Sequence, residues 1–238
     1  MGLTEGHLAK TVWENPAEIV RSLKPENPVM VFAPTVLQDR ARAFLAGFPG
    51  FVTYAVKSNP DEAVIQNLVT AGIKGFDLAS PFEIDLIGRL APHAARHYHN
   101  PVRSTAEIAH AVAAGIKAWS VDSRSELDKL FAQVPTEGCE ISPRFKLPVV
   151  GAAYDFGSKF GGTPELTAEL LREVAARGYI ASLTFHPGTQ CTDPHAWEQY
   201  IRTAAEIADM AGVRPKRLNV GGGFPSRHVE ILCAGCSL

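Results

Sequence analysis

Short runs rich in β-branched and aromatic residues recur along the chain, each followed by a longer stretch in which apolar positions repeat every three to four residues. The short runs read as strands at Val29–Ala33, Phe51–Val56, Lys74–Leu78, Arg96–His99, Ala118–Val121, Glu140–Lys146, Tyr179–His186 and Arg217–Val220. The longer stretches read as helices at Thr35–Phe48, Asp61–Ala71, Pro81–Leu90, Thr105–Ala114, Ser123–Val134, Pro164–Arg177 and Pro194–Ala211. Local punctuation agrees. Ser80-Pro81, Thr163-Pro164 and Asp193-Pro194 each put a side-chain acceptor before a first-turn proline. Gly72, Gly115, Gly178 and Gly212 follow helical runs, where a left-handed residue closes a helix.

Strand–helix alternation at this frequency implies an α/β protein with a mainly parallel sheet covered by helices. A (β/α) barrel and an open doubly wound sheet both fit, and periodicity does not separate them. Lys57, Asp77, Asn100, His186 and Gly221 each fall at or near the C-terminal end of a predicted strand. In both architectures that edge carries the active site.

Composition narrows the field. A chain of 238 residues is one large domain or two small ones and is long enough to bury a core. Lys plus Arg is 23 against 25 Asp plus Glu, a net charge of −2, which argues against a nucleic-acid partner held by phosphate neutralisation. Hydrophobic residues at 46% and charged residues at 20% argue against disorder. No run of 18 apolar residues occurs, so no membrane helix is expected, and Met1–Lys10 lacks a signal-peptide core. A cytoplasmic location is the expectation. The four cysteines are irregularly spaced, and the formal C-x-x-C at Cys233–Cys236 has no second pair and no following helix, so no metal or redox role is assigned to it.

Three strand ends carry candidate chemistry. Lys57, in Tyr54-Ala55-Val56-Lys57-Ser58-Asn59-Pro60, is either a rim lysine reaching for water or a desolvated amine able to form a Schiff base. Gly221-Gly222-Gly223 is either a flexible turn or a nest of backbone N–H groups that a phosphate approaches closely. His186 is either a satisfied core histidine or a flat ring stacked on a cofactor, with Gly188 and Thr189 suited to phosphate oxygens. His97 and His99 alternate on one strand and share a face. A metal site there needs further carboxylate or thiol ligands, and sequence places none, so no metal is assigned.

YAVKSNP, FDLASPFEI, NPVRS, KFG at Lys159–Gly161, FHPGTQCTDP and GGGFP follow in that order between Val29 and Pro225. Together they resemble the pyridoxal-phosphate-dependent decarboxylases of the alanine-racemase-like (β/α)8 TIM-type barrel, above all the ornithine/lysine branch. The diaminopimelate branch is similar, but it usually carries Ser-Gly-Gly-Glu where this chain has Ser80-Pro81-Phe82-Glu83. Racemases share the early lysine but not the FHPGTQ and GGGFP pair. The resemblance implies that Lys57 holds pyridoxal 5'-phosphate as a Schiff base and that His186 stacks on its ring. It places Thr189 and the Gly221, Gly222 and Gly223 backbone at the phosphate. Asp77 and Arg144 belong to the polar network around the lysine. The implied reaction is decarboxylation of a basic amino acid, ornithine to putrescine or lysine to cadaverine, in polyamine biosynthesis by a homodimer.

Family members continue past the GGGFP motif with a Glu-Pro-Gly-Arg segment and a second, β-rich domain, neither of which occurs in these 238 residues. The expected organisation is an N-terminal segment at 1–28, an incomplete pyridoxal-phosphate-binding barrel at 29–225 and an atypical tail at 226–238. In the family, Val29–Ala33 packs outside the barrel, leaving seven barrel strands and an open edge where the eighth belongs. A frameshift or premature stop near Pro225 is the expected cause. The alternatives are a catalytically disabled homologue that binds pyridoxal phosphate or a partner, and a diaminopimelate decarboxylase-type enzyme.

Overall fold

The computed structural model describes residues 13–147 and 160–225. The tail 226–238 with Cys233 and Cys236, the first twelve residues and Lys159 lie outside them. Six parallel strands follow in chain order: β1 (Tyr54–Ala55), β2 (Gly75–Leu78), β3 (Ala95–Tyr98), β4 (Ala118–Val121), β5 (Glu140–Pro143) and β6 (Ile180–Ala181). β7 (Leu183–Thr184) and β8 (Leu218–Asn219) form a second parallel ladder. β6 and β7 are one run with a break at Ser182. Its even residues donate toward β5, Ile180 N to Cys139 O and Ser182 N to Ile141 O, and its odd residues donate toward β8, Leu183 N to Arg217 O and Phe185 N to Asn219 O. One strand position therefore serves two neighbours, and the sheet runs through seven positions without interruption.

Contacts across the interior decide between the two architectures. Asn219 Nδ2 reaches His99 Nδ1 at 3.0 Å, and Arg217 pairs with Glu140 and lies 3.5 Å from His97. These side chains start from β8 and its approach, and they meet β3 and β5. A flat sheet would hold β8 and β3 four strand spacings apart, so the sheet curls into a barrel. Among the described residues no ladder joins β8 to β1, and the arc is open there, as the seven-strand expectation holds. Phe224 spans the mouth of the gap, edge-on to Phe44 and Phe48 with centroids 5.3 and 6.1 Å away.

The helices are α1 (Pro16–Leu23), α2 (Pro34–Gly47), α3 (Glu62–Ala71), α4 (Pro81–Leu90), α5 (Thr105–Ala113), α6 (Arg124–Gln133), α7 (Pro164–Ala176) and α8 (Pro194–Ala211). Their caps are those the sequence announces. Ser80 accepts from Glu83 N, Thr163 from Leu166 N and Asp193 from His195 N, while Ser104 and Glu107 make a reciprocal capping box. The core lies between the helices and the outer face of the sheet. Phe76, Leu78, Tyr98, Trp119 and Ile141 pack there against Ile65, Ile84, Ile87, Ile108 and Leu127, each fully or nearly fully buried. Each such side chain contributes roughly 1.5–3 kcal/mol.

Two elements differ from expectation. Val29–Ala33 is not a strand; it finds no ladder partner among the described residues, and Met30 is 96% exposed. α1 lies in the N-terminal segment 1–28, to which the sequence reading assigned no element. Its signal is Asn15-Pro16, the same acceptor-plus-proline pattern as the other starts, with Asn15 accepting from Glu18 N at 3.0 Å.

Candidate active site

The chain ends of the parallel strands open on one cleft, lined by Lys57, Asp77, Asn100, Arg144, His186 and the Gly221–Gly222 backbone. All five strand-end residues singled out from sequence therefore converge, and Arg144 joins them. Lys57 sits in a 3-10 turn, Val56–Ser58, directly after β1. Val56 is fully buried and anchors the turn, and Lys57 itself is exposed to the cleft. Among the described residues its amine has neither a hydrogen bond nor an ion pair.

Arg144 follows β5. Burial disfavours its charge and pushes its pKa down, although Asp122 opposes this. Its Nε has no hydrogen-bond partner, and its guanidinium lies 5.5 Å from the Phe160 ring centroid. An unpaired, half-buried cation calls for an anion in the cleft. His186 is a second electrostatic marker. Its pKa is pushed down to about 4 by burial first and then by the Arg144 and Lys57 charges, so the ring is neutral near pH 7. Its Nδ1 accepts from Gly188 N at 3.1 Å, which puts the proton on Nε2.

The glycines serve the protein's own packing as well as the cleft. Gly221 has φ +71°, and a Cβ there would lie 2.3 Å from Phe185 O. Gly223 has φ +80°, and a Cβ there would lie 1.8 Å from Gly188 O. Gly222 has room, its nearest neighbour being His186 Nε2 at 3.4 Å. Two of the three glycines are thus required for the 221–223 loop to lie on the 185–188 segment that carries His186. Cys191 N, donating to Gly223 O at 2.9 Å, ties the same two loops together. Gly223 and Thr189 do not line the cleft.

Asp77 projects from β2 between His97 and His99, its Oδ1 3.5 and 3.3 Å from their Nδ1 atoms. Burial raises its pKa, but the imidazoles of His99 and His97 outweigh that and hold the carboxyl well below its ordinary range. Sequence assigned Asp77 to the cofactor network and saw no carboxylate near the histidines; the β2–β3 register, Asp77 beside His97, supplies one. Arg103 of NPVRS was given no role. It is buried, donates to Asn100 O at 2.8 Å and to Ser120 O, and lies 5.1 Å from the Tyr98 ring centroid, so it fixes the loop presenting Asn100. The clue was an arginine three residues after a rim asparagine.

The donor set fits pyridoxal phosphate: a free amine at Lys57, an unpaired cation at Arg144, a neutral flat ring at His186 and a Cβ-free wall at Gly221–Gly222.

Residues 35–231 match the family model described as pyridoxal-dependent decarboxylase, pyridoxal binding domain. The chain is 35% identical over 187 residues to ornithine decarboxylase of Panagrellus redivivus, covering 75% of this chain and 42% of that protein. It is 31% identical over 230 residues to ornithine decarboxylase of Mus musculus, covering 94% of this chain and 49% of that protein. The chain spans less than half the length of these relatives. The crystal structure of lysine/ornithine decarboxylase complexed with putrescine from Vibrio vulnificus superposes with a TM-score of 0.74 at 26% identity, covering 88% of this chain and 56% of that one.

Proposed function

The chain belongs to the pyridoxal-dependent decarboxylases and carries their pyridoxal-binding domain, and on that premise we propose that it takes part in the decarboxylation of a basic L-amino acid. The observation that carries this reading is the convergence of Lys57, unpaired Arg144 and neutral His186 on one cleft. The finer reading is ornithine to putrescine, or lysine to cadaverine, within cytoplasmic polyamine synthesis by a homodimer. The unit that would carry it spans residues 29–225.

Each residue has a role in this reading. Lys57 supplies the amine that anchors the cofactor aldehyde. Arg144 balances anionic charge that would otherwise be buried without a partner. His186, held by Gly188 N, presents a neutral ring rather than a second cation. The Gly221–Gly222 backbone borders the phosphate, Gly223 and Thr189 stand behind that wall on the loops that carry it, and Asp77 completes the polar wall beside Lys57. When bound, pyridoxal phosphate supplies the electron sink for the bond to the departing carboxylate.

The test is pyridoxal phosphate titration followed by visible absorbance, then borohydride reduction and peptide mapping, then CO2 release from ornithine and lysine. Expected are cofactor label on Lys57 and CO2 release that Lys57→Ala abolishes. Label on another lysine, or release indifferent to Lys57→Ala, overturns the reading. Labelling without release would overturn turnover by this chain and leave it the cofactor-binding part alone.

A further inference from the structure

We propose that Asp77, His97 and His99 form a site for one transition-metal dication of the zinc class inside the barrel. Their ligand atoms all lie within 4.8 Å of one another. Bonds of 2.0–2.1 Å to a tetrahedral ion require ligand atoms about 3.3–3.4 Å apart. Asp77 Oδ1 stands 3.5 Å from His97 Nδ1 and 3.3 Å from His99 Nδ1, so two edges of that tetrahedron are already in place.

The polar surroundings are arranged for it. Asp77 Oδ1 is buried and makes no hydrogen bond, while Oδ2 accepts from Thr53 Oγ1 at 3.1 Å. One carboxylate oxygen is therefore held from behind and the other is left open, the usual division for a metal-bound carboxylate. Asn219 Oδ1 accepts from Gly221 N at 2.8 Å, which turns its Nδ2 toward His99 Nδ1 at 3.0 Å. His99 Nδ1 stands between that amide and Asp77 Oδ1 at 3.3 Å, so metal capture releases any proton it shares with the carboxylate and exchanges both contacts for the ion. Arg217 Nη1, a donor only, lies 3.5 Å from His97 Nε2, which leaves the ring proton on His97 Nδ1 facing Asp77, so metal capture there must release that proton; the Arg217 charge itself is balanced by Glu140, to which it donates through Nε and Nη2. Asp77 and His99 also line the cleft that holds Lys57 and Arg144. One carboxylate among these cations is a poor match for calcium or magnesium, which bind through several oxygens. Two imidazoles and a carboxylate suit zinc, cobalt or nickel.

Neither Lys57 nor His186 is a ligand, but Asp77 and His99 border the cleft of the cofactor reading, so the metal is probed separately from the cofactor. The probe is Co2+ added to the full chain freed of metal by chelation, followed by visible absorption and competition with Zn2+. One equivalent should give an intense tetrahedral band that Zn2+ displaces. His97→Gln and His99→Gln, shown folded by circular dichroism, should each lose the band and bind roughly a hundredfold more weakly; Lys57→Ala should keep it. The absence of a band in the wild-type chain, or a band that survives both histidine variants, overturns the proposal.

Discussion

Alanine substitution at each of the three consecutive glycines gives three different outcomes if close packing, rather than general flexibility, is why they are there. At Gly221 the new residue must hold φ +71°, and at Gly223 φ +80°. A left-handed backbone costs an L-residue roughly 1–2 kcal/mol, and the stiffer unfolded chain returns about 0.4–1 kcal/mol of that. Contact then dominates. The Cβ positions fall 2.3 Å from Phe185 O and 1.8 Å from Gly188 O, so the 185–188 segment must retreat by about 1 Å or more, an overpacking typically worth about 1–3 kcal/mol. At Gly223 the retreat also strains the Cys191 N to Gly223 O hydrogen bond, worth about 1 kcal/mol. The expected loss is about 3 kcal/mol at either position, roughly a hundredfold in the folding constant. Gly222, with its nearest neighbour at an ordinary 3.4 Å, should change stability by less than about 0.5 kcal/mol. Urea unfolding of the four proteins measures this, with the midpoint shifting at constant slope. Equal losses at all three positions, or none at Gly221 and Gly223, would refute the packing argument. Cofactor titration on the same proteins adds a second reading: Gly222→Ala with intact stability but weakened binding would assign that glycine to close approach by the ligand.

Other expectations follow from the same contacts. In the cofactor-free protein His186 takes up a proton near pH 4, against about 6.5 when unfolded; between those values the unfolded chain binds more protons. Stability from this group is therefore complete above pH 6.5 and falls as pH drops toward 4, by roughly 3 kcal/mol, and denaturation midpoints across that window should flatten in His186→Gln. Arg103→Ala strands the Asn100 and Ser120 carbonyls and opens a cavity beneath Tyr98 and Trp119, so a loss of about 3–5 kcal/mol is expected in thermal unfolding. Tyr200→Phe removes the hydroxyl that accepts from Leu147 N at 2.9 Å and should cost about 1–2 kcal/mol in urea. An unchanged midpoint would dismiss that contact.

Helices were legible because their signals are local. Ser80, Ser104, Thr163 and Asp193 each cap a neighbour three residues away or fewer, and hydrophobic period supplied the rest. Asn15-Pro16 carried the same signal, but the helix that follows is only eight residues long and buries only Ile19, and α1 was passed over. Strands were legible as runs but not as lengths. Tyr179–His186 divides at Ser182 because its two neighbours claim alternate N–H groups, a property of the ladder and not of the run. Val29–Ala33 has strand composition, yet a strand exists only where another edge meets it. Lys57, His186 and Arg144 were found through their order in the chain. The Asp77 cluster was not, because two histidines on one strand and a carboxylate on the next meet only through sheet register, which no local pattern encodes.

The strand order has a consequence for how the molecule is made. Among the described residues every ladder in the arc joins strands adjacent in the chain, while the contacts that close it come last: Asn219 reaches His99 across the interior, 120 residues back, and Phe224 reaches further back still, to Phe44. Folding can therefore advance one strand–helix unit at a time as synthesis proceeds, each unit docking on the edge left by the last. Lys57 takes its place early in that order, and the Gly221–Gly223 wall takes its place last. The nascent chain thus carries the Lys57 amine long before the cleft around it exists, and closure of the cleft marks the end of assembly. A folding intermediate stalled before β8 would keep its helices and lose the ligand, so retention of pyridoxal phosphate is a stricter gauge of completed folding than secondary-structure content.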